Sequence, residues 1–186
     1  APFSPTRRKL LTGGAVAAIF VLALKSGIDL GKAVAAKVKK TVLPAGAGNA
    51  EDFANRCLNC NLCVQNCPMQ IIKKADGDYP AVHIDYTDGF CDYDCRKCSE
   101  ICPSGAIKRL TLAEKQKTQI GLAVINENTC IKCGLCVMKC PREAISKEDG
   151  SFPLINTDEC IGCGACQNTC PVKAITVMPI EQQKIL

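Results

Sequence analysis

Short stretches of alternating apolar and polar residues recur along the chain, and each stops shortly before a cysteine. Ala81-Val82-His83-Ile84-Asp85, Ala123-Val124-Ile125-Asn126 and Pro153-Leu154-Ile155-Asn156 have this form. Side chains alternating at a period of two predict short strands. A cysteine loop closed by a proline follows each one. Beyond the prolines comes a second apolar signal, Ala106-Ile107, Ala144-Ile145 and Ala174-Ile175, with Ile71-Ile72 at the matching place in the first loop. The pattern predicts a repeated unit of strand, cysteine loop and a short helix starting near the proline, hence an α+β fold.

The start of the chain has a different pattern. Leu10 to Leu24 is an uncharged, mostly apolar run. Ser26 to Val42 reads as a second helical stretch, opened by Ser26 with Asp29 three residues on as in a capping box. Pro44-Ala45-Gly46-Ala47-Gly48 then breaks the periodicity and reads as a linker. The expected division is 1–43 signal and juxtamembrane helix, 44–50 linker, 51–118 first module, 119–180 second module and 181–186 tail.

Composition sharpens this picture. The 186 residues include 16 Cys but no Trp, 3 Tyr and 5 Phe. So little large apolar surface leaves a thin hydrophobic core, and small proteins of this kind are commonly held by disulfides or metal. Charge is unevenly spread. Eight Lys/Arg oppose the lone acid Asp29 in residues 1–45, which leaves fifteen basic and seventeen acidic residues for the rest. If the cysteines hold four metal–sulfur clusters, at roughly −2 each with their thiolates, the body comes to about −10. A body of that sign disfavours a nucleic-acid partner and favours a positively charged docking face on a protein.

Arg7 and Arg8 precede the apolar run, and a basic segment followed by such a run is an export signal. Thr6-Arg7-Arg8-Lys9-Leu10-Leu11 resembles the twin-arginine signal, a route for proteins already folded around a cofactor. Ala33-Val34-Ala35 offers a small-residue cleavage site. We expect retention as an anchor, with residues 10–24 contacting the membrane. Because the run is shorter than the about 20 residues of a full span, tilt or local thinning would have to compensate. Lys32, Lys37, Lys39 and Lys40 suit either a membrane surface or a solvated face.

All the cysteines fall in four runs, each ending Cys-Pro. The first has Cys57, Cys60, Cys63 and Cys67; the second Cys91, Cys95, Cys98 and Cys102. The third has Cys130, Cys133, Cys136 and Cys140; the fourth Cys160, Cys163, Cys166 and Cys170. Zinc sites gather two separated pairs, or a pair with histidines, whereas this chain has one histidine and its cysteines come as triplets. Disulfides impose no such spacing. A triplet at i, i+3 and i+6 can wrap one cubane, and the cysteine before the proline reaches a neighbouring one. Four [4Fe–4S] clusters follow.

The stretches from Cys67 to Cys91 and from Cys140 to Cys160 are shorter than that from Cys102 to Cys130. Run one therefore pairs with run two, and run three with run four. Nested pairing, one with four and two with three, is the alternative. Crossed ligation predicts four sets: Cys57, Cys60, Cys63 with Cys102; Cys91, Cys95, Cys98 with Cys67; Cys130, Cys133, Cys136 with Cys170; and Cys160, Cys163, Cys166 with Cys140.

Run two has an extra residue, Cys91-x₃-Cys95-x₂-Cys98, the spacing of the radical S-adenosylmethionine motif. The ordinary Cys102-Pro103 follows it, and no barrel-sized domain surrounds it, so the insertion reads as a bulge that shifts one cluster's potential. His83 reads as a strand residue, since the cysteines already supply every ligand.

Residues 51–180 resemble the bacterial 2×[4Fe–4S] ferredoxin fold, duplicated. The whole chain resembles the NapG/MauM-type ferredoxins in its twin-arginine start, its four runs, Cys102-Pro103-Ser104-Gly105-Ala106 and Gly121-Leu122-Ala123-Val124. The resemblance implies an electron carrier on the periplasmic face of the bacterial inner membrane, between a polytopic quinone-reactive membrane subunit and a periplasmic redox protein. It implies no catalysis by the chain itself. The competing readings are an iron–sulfur subunit of a membrane-bound molybdenum or tungsten oxidoreductase, a radical enzyme and a structural iron–sulfur protein.

Overall fold

A computed structural model describes residues 40–75 and 80–186, all within one compact unit, 38–186. The expected signal and anchor, 10–24, lies outside the described residues, as does the stretch Ser26 to Lys39. Among the described residues no helix is long and apolar enough to cross a membrane.

The elements run α1 (Ala50–Arg56), α2 (Leu62–Gln65), β1 (Ile72–Lys74), β2 (Val82–Ile84), α3 (Lys97–Ile101) and α4 (Leu112–Lys117). There follow β3 (Thr118–Ile125), α5 (Leu135–Lys139), β4 (Ile145–Ser146), β5 (Leu154–Ile155), α6 (Ala165–Thr169) and β6 (Ile175–Ile185). Three antiparallel two-stranded sheets form, β1–β2, β4–β5 and β3–β6. The first two are hairpins, each bridging the two cysteine runs of one half. The third joins the start of the second half to its end, with Ala123 opposite Val177 and Ile125 opposite Ile175.

Strands β2, β3 and β5 fall where alternation predicts them, whereas β1, β4 and β6 lie where helices or a tail were expected. Instead of starting at the proline, each short helix lies before the fourth cysteine. Cys102, Cys140 and Cys170 cap α3, α5 and α6 with extended backbone, φ −69 ψ 110, φ −75 ψ 113 and φ −73 ψ 113. Proline's ring pushes the residue before it out of the α region, so the helix must stop there. The Ala-Ile pairs after the prolines are therefore strand or loop residues, and their side chains are buried.

Residues 44–50 are not a linker. Pro44 is among the fully buried side chains, and Val42, Leu43, Ala45 and Ala47 join the core. The Ile84 amide bonds to the Val42 carbonyl at 2.8 Å and the Lys108 amide to that of Gly46 at 2.8 Å. The segment thus covers the first half as β3–β6 covers the second. Lys40–Val42, expected to end a helix, are irregular. Asn49 instead caps α1, its side chain accepting from the Asp52 amide.

Residues 181–186 are no tail either. They complete β6, with Lys184 opposite Gln119. The Gln183 amide group accepts from Gly46 N at 2.9 Å and donates to the Leu43 and Pro44 carbonyls at 3.1 and 3.0 Å. The end of the chain clamps the start of the described segment. One core cluster holds Phe53, Ile72, Val82 and Ile107 of the first half together with Ile120, Ile145, Ile175 and Val177 of the second.

Candidate metal centres

The runs place their cysteines in related ways. In all four the short helix presents the third cysteine. Positive-φ residues precede it in runs one, three and four but not in run two. An extended cap presents the fourth cysteine in runs two, three and four, whereas Asn66 caps the helix of run one. Amides further on then point back at sulfur: Ile107 N to Cys102 Sγ at 3.4 Å, Ala144 N to Cys140 Sγ at 3.3 Å and Ala174 N to Cys170 Sγ at 3.3 Å. Lys132 N does the same for Cys130 at 3.4 Å. Such bonds stabilise the thiolate form.

Three cavities bring the predicted sets together. Cys57, Cys60, Cys63 and Cys102 line one of about 350 Å³, with Phe53, Val82 and Ile107 behind them. Cys67, Cys91, Cys95 and Cys98 line another of about 390 Å³, walled by Pro44, Ile71, Ile72 and Ile84. Cys140, Cys160, Cys163 and Cys166 line a third of about 340 Å³. Each cavity takes three thiols from one run and the fourth from its neighbour. For the fourth set, Cys136 is raised by burial and then by Cys133 and Cys130, and α5, which carries it, packs on α6, which ends at Cys170.

The donor chemistry fits an iron–sulfur cube. Among the described residues no three Cys, His, Asp or Glu side chains converge on a point where one metal ion could sit. The thiols stand around a void with apolar walls instead. Thiolate-only sets with enclosing apolar residues suit iron–sulfur clusters.

Burial dominates the electrostatics. It pushes the thiols of Cys63 and Cys163 up to about 11 and that of Cys166 to about 12, and neighbouring thiols add to each. Cys98 goes higher still, by burial and then by Cys91, Cys95, Cys63 and Cys67. Cys102 runs the other way. Burial opposes ionisation there too, but bonds from Ile107 N, Ser104 and Ala106 N together bring its thiol below the usual value. Ser104 is the one side chain among these donors, with its Oγ 3.6 Å from Cys102 Sγ.

The sets adjoin one another in an order that differs from the sequence. Cys63 lies near enough to Cys98 to influence its thiol, and the Cys91 amide bonds to the Cys163 carbonyl at 2.7 Å. Helices α5 and α6 link the last two sets. The spatial order is the Cys57 set, the Cys91 set, the Cys160 set and the Cys130 set. At the two ends Cys60 and Cys133 are exposed, whereas Cys160, Cys163 and Cys166 are buried.

The junction between halves is built from residues that sequence patterning passed over. Tyr86, just after β2, is buried among Cys91, Cys160, Cys163 and Cys166. Gly121, in the Gly-Leu-Ala-Val stretch, lies against Gly162, where a Cβ would strike the Gly121 carbonyl. A bulge in β3 between Gln119 and Gly121 frees the Ile120 amide to bond the Ile161 carbonyl at 3.0 Å. Lys115 is the other omission. Its helix is announced in the sequence by Thr111 and Glu114, a capping box in which both reciprocal bonds form. His83 pairs across from Lys73 in the β1–β2 hairpin, as a strand residue does.

Four-thiol sets around neighbouring voids define a ferredoxin-type iron–sulfur protein, an electron carrier. Comparisons agree: residues 56–107, 90–144 and 123–177 each match a 4Fe–4S dicluster domain. The middle match joins runs two and three, so it is the cavities that favour pairing one with two and three with four. The chain is 38% identical over 120 residues to the methylamine utilization ferredoxin-type protein MauM of Methylobacillus flagellatus, covering 57% of this chain and 51% of that one. It is 32% identical to MauM of Methylorubrum extorquens, covering 79% of this chain and 73% of the relative. Against the ferredoxin-type protein NapG of Escherichia coli it is 33% identical over 56% of this chain and 51% of the relative. The chain belongs to this family of MauM- and NapG-type ferredoxin-type proteins. It spans about half the length of the first of these relatives. A chain of a formate dehydrogenase–heterodisulfide reductase–formylmethanofuran dehydrogenase complex from Methanospirillum hungatei matches at 22% identity, covering 67% of this chain and 52% of that one, with a TM-score of 0.29, too weak to bear on fold or assembly.

Proposed function

We propose that the chain holds four [4Fe–4S] clusters and conducts electrons between a membrane quinone- or quinol-reactive partner and an extracytoplasmic redox protein. The observation that carries this reading is the continuity of the sets, from exposed Cys60 through two enclosed sets to exposed Cys133. Bound in these sets, the clusters would supply one-electron acceptor sites.

The chain's own residues hold, shield and bias those sites. Cys57, Cys60, Cys63 and Cys102 would hold one cluster, and Cys91, Cys95, Cys98 and Cys67 the next. Cys160, Cys163, Cys166 and Cys140 would hold the third in space, and Cys130, Cys133, Cys136 and Cys170 the last. Apolar walls, Ile71, Ile72 and Ile84 at the Cys91 set and Ile145 and Ile161 at the Cys160 set, exclude water from the inner sets. Amide donors on Cys102, Cys130, Cys140 and Cys170 stabilise negative charge on sulfur. Partners dock at the two ends. Leu58, 68% exposed, flanks the Cys60 end, and Ile131 and Met138, 60% and 75% exposed, flank the Cys133 end.

The twin-arginine-type segment supports placement on the outer face of the inner membrane, anchored through residues 10–24. Iron and sulfide analysis of anaerobically purified full-length protein tests the cofactor count, and EPR during reduction tests the continuity through spin coupling. Zinc in place of iron, or isolated uncoupled centres, would refute the reading. Fractionation of cells tests the location, with cytoplasmic recovery the refuting result.

A further inference from the structure

We propose that Lys115 sets the reduction potential of the cluster held by Cys91, Cys95, Cys98 and Cys67, its buried ammonium holding that potential above the value the thiolates alone would give. The inference rests on the proposed ligation. Lys115 is a positioning and tuning residue and ligates nothing.

Lysine is among the residues least often buried, yet Lys115 is only 4% exposed. Helix α4 aims its Nζ into the loop between Cys91 and Cys95. There it donates to the Asp92 carbonyl and, at 3.1 Å, to that of Tyr93. These carbonyls belong to the stretch where run two has one residue more than the other runs. Gln116 grips the same loop from the next position, donating to Asp94 Oδ1 at 2.7 Å. The irregular spacing thus makes room for a lysine head beside the first thiol of the set.

Burying an ammonium is costly unless a counter-charge compensates. Among the described residues, the ion pairs are Lys40–Glu181, Arg96–Glu100 and Arg142–Glu159, and none involves Lys115. The counter-charge at hand is the thiolate set. The Nζ is seated on the carbonyls of Asp92 and Tyr93, the two residues after Cys91, which brings the ammonium to this set. A fixed positive charge in a low-dielectric wall favours the more negative redox state, so it raises the potential. In space this set is second of four, next to the Cys160 set. An electron entering at the Cys60 end therefore meets a stabilised site before the junction at Tyr86.

The test is an EPR-monitored redox titration of full-length, cluster-loaded protein. Lys115→Gln keeps donors for the two carbonyls but removes the charge, Lys115→Met fills the space without either, and Lys115→Arg keeps the charge. Full iron content with one midpoint potential lowered in the Gln and Met variants, and restored in the Arg variant, is the expected result. Unchanged midpoints in a fully loaded Gln variant would overturn the proposal, and so would an Arg variant shifted as far as the neutral ones. Loss of this cluster from both neutral variants would make Lys115 a brace and overturn it as well. Wild-type protein without iron–sulfur signals would instead refute the ligation reading.

Discussion

Tyr86 donates a 2.6 Å hydrogen bond from its phenol to the Gly162 carbonyl, and its ring lies against Gly164. The strand end of one half is thereby locked to the last cysteine loop of the other. Burial first, and then four cysteines drawn from two sets, keep the phenol well above its ordinary pKa, so it stays protonated and able to donate.

Tyr86→Phe keeps the ring but leaves a buried carbonyl unpaired, a change that costs about 1–3 kcal/mol. Denaturant unfolding should show that loss with the iron content intact. Gly164→Ala should do more harm, because its Cβ would overlap the Tyr86 ring and its φ of +83 strains any side chain. We expect the Ala variant to lose the cluster of the Cys160 set, read as reduced iron per chain.

Lys132 and Gly162 occupy the same place in runs three and four, with φ of 58 and 70. Lys132 reaches outward, donating to the Gly150 carbonyl at 3.0 Å and lying over the Phe152 ring at 4.1 Å. Gly162 faces the Gly121 backbone and has no room. Lys132→Gly should be tolerated with full iron content, while Gly162→Lys should disrupt the β3 contact and unload the Cys160 set. Equal tolerance of both would contradict the burial order of the two loops.

Crossed ligation makes a directional prediction. Cys102→Ala should disturb the cluster of Cys57, Cys60 and Cys63, and Cys98→Ala the cluster of Cys91, Cys95 and Cys67. EPR of the two variants distinguishes them by which signal is lost. A Cys102→Ala protein that loses only the Cys91 cluster would break the assignment.

The raised thiols give a pH dependence. Burial pushes the Cys163 and Cys166 thiols up to about 11 and about 12, from an ordinary 9.0. In the cluster-free chain their neutral forms stabilise the fold fully below pH 9.0, and that contribution is lost as the pH rises through those values. Cluster loading expels the same protons, so acid should favour cluster release and mild alkali retention. Bleaching of the visible absorption against a chelator, followed across pH, checks the sign.

Much of this was legible in the residues. The strands before runs two, three and four follow from alternation, and three cavities are each lined by three thiols of one run and the fourth of its neighbour. The helix placement was not, because Pro-x-x-Ala-Ile reads as a helical start until the steric effect of proline on Cys102, Cys140 and Cys170 is counted. Residues 44–50 misled for a similar reason. Their Pro and Gly content resembles a linker, yet Gln183 from the far end of the chain supplies the bonds that seat them in the core.

Cysteine number, spacing and the trailing prolines alone determined the ferredoxin-type chemistry, since sulfur ligands and loop reach are local properties of the chain. Only the tertiary structure decided which thiol sets adjoin, that the run-two and run-four sets meet at Tyr86, and that Lys115 stands buried beside Cys91. Those depend on contacts between residues far apart in sequence, where close packing of glycine against backbone and charge against thiolate leaves no periodic trace to read.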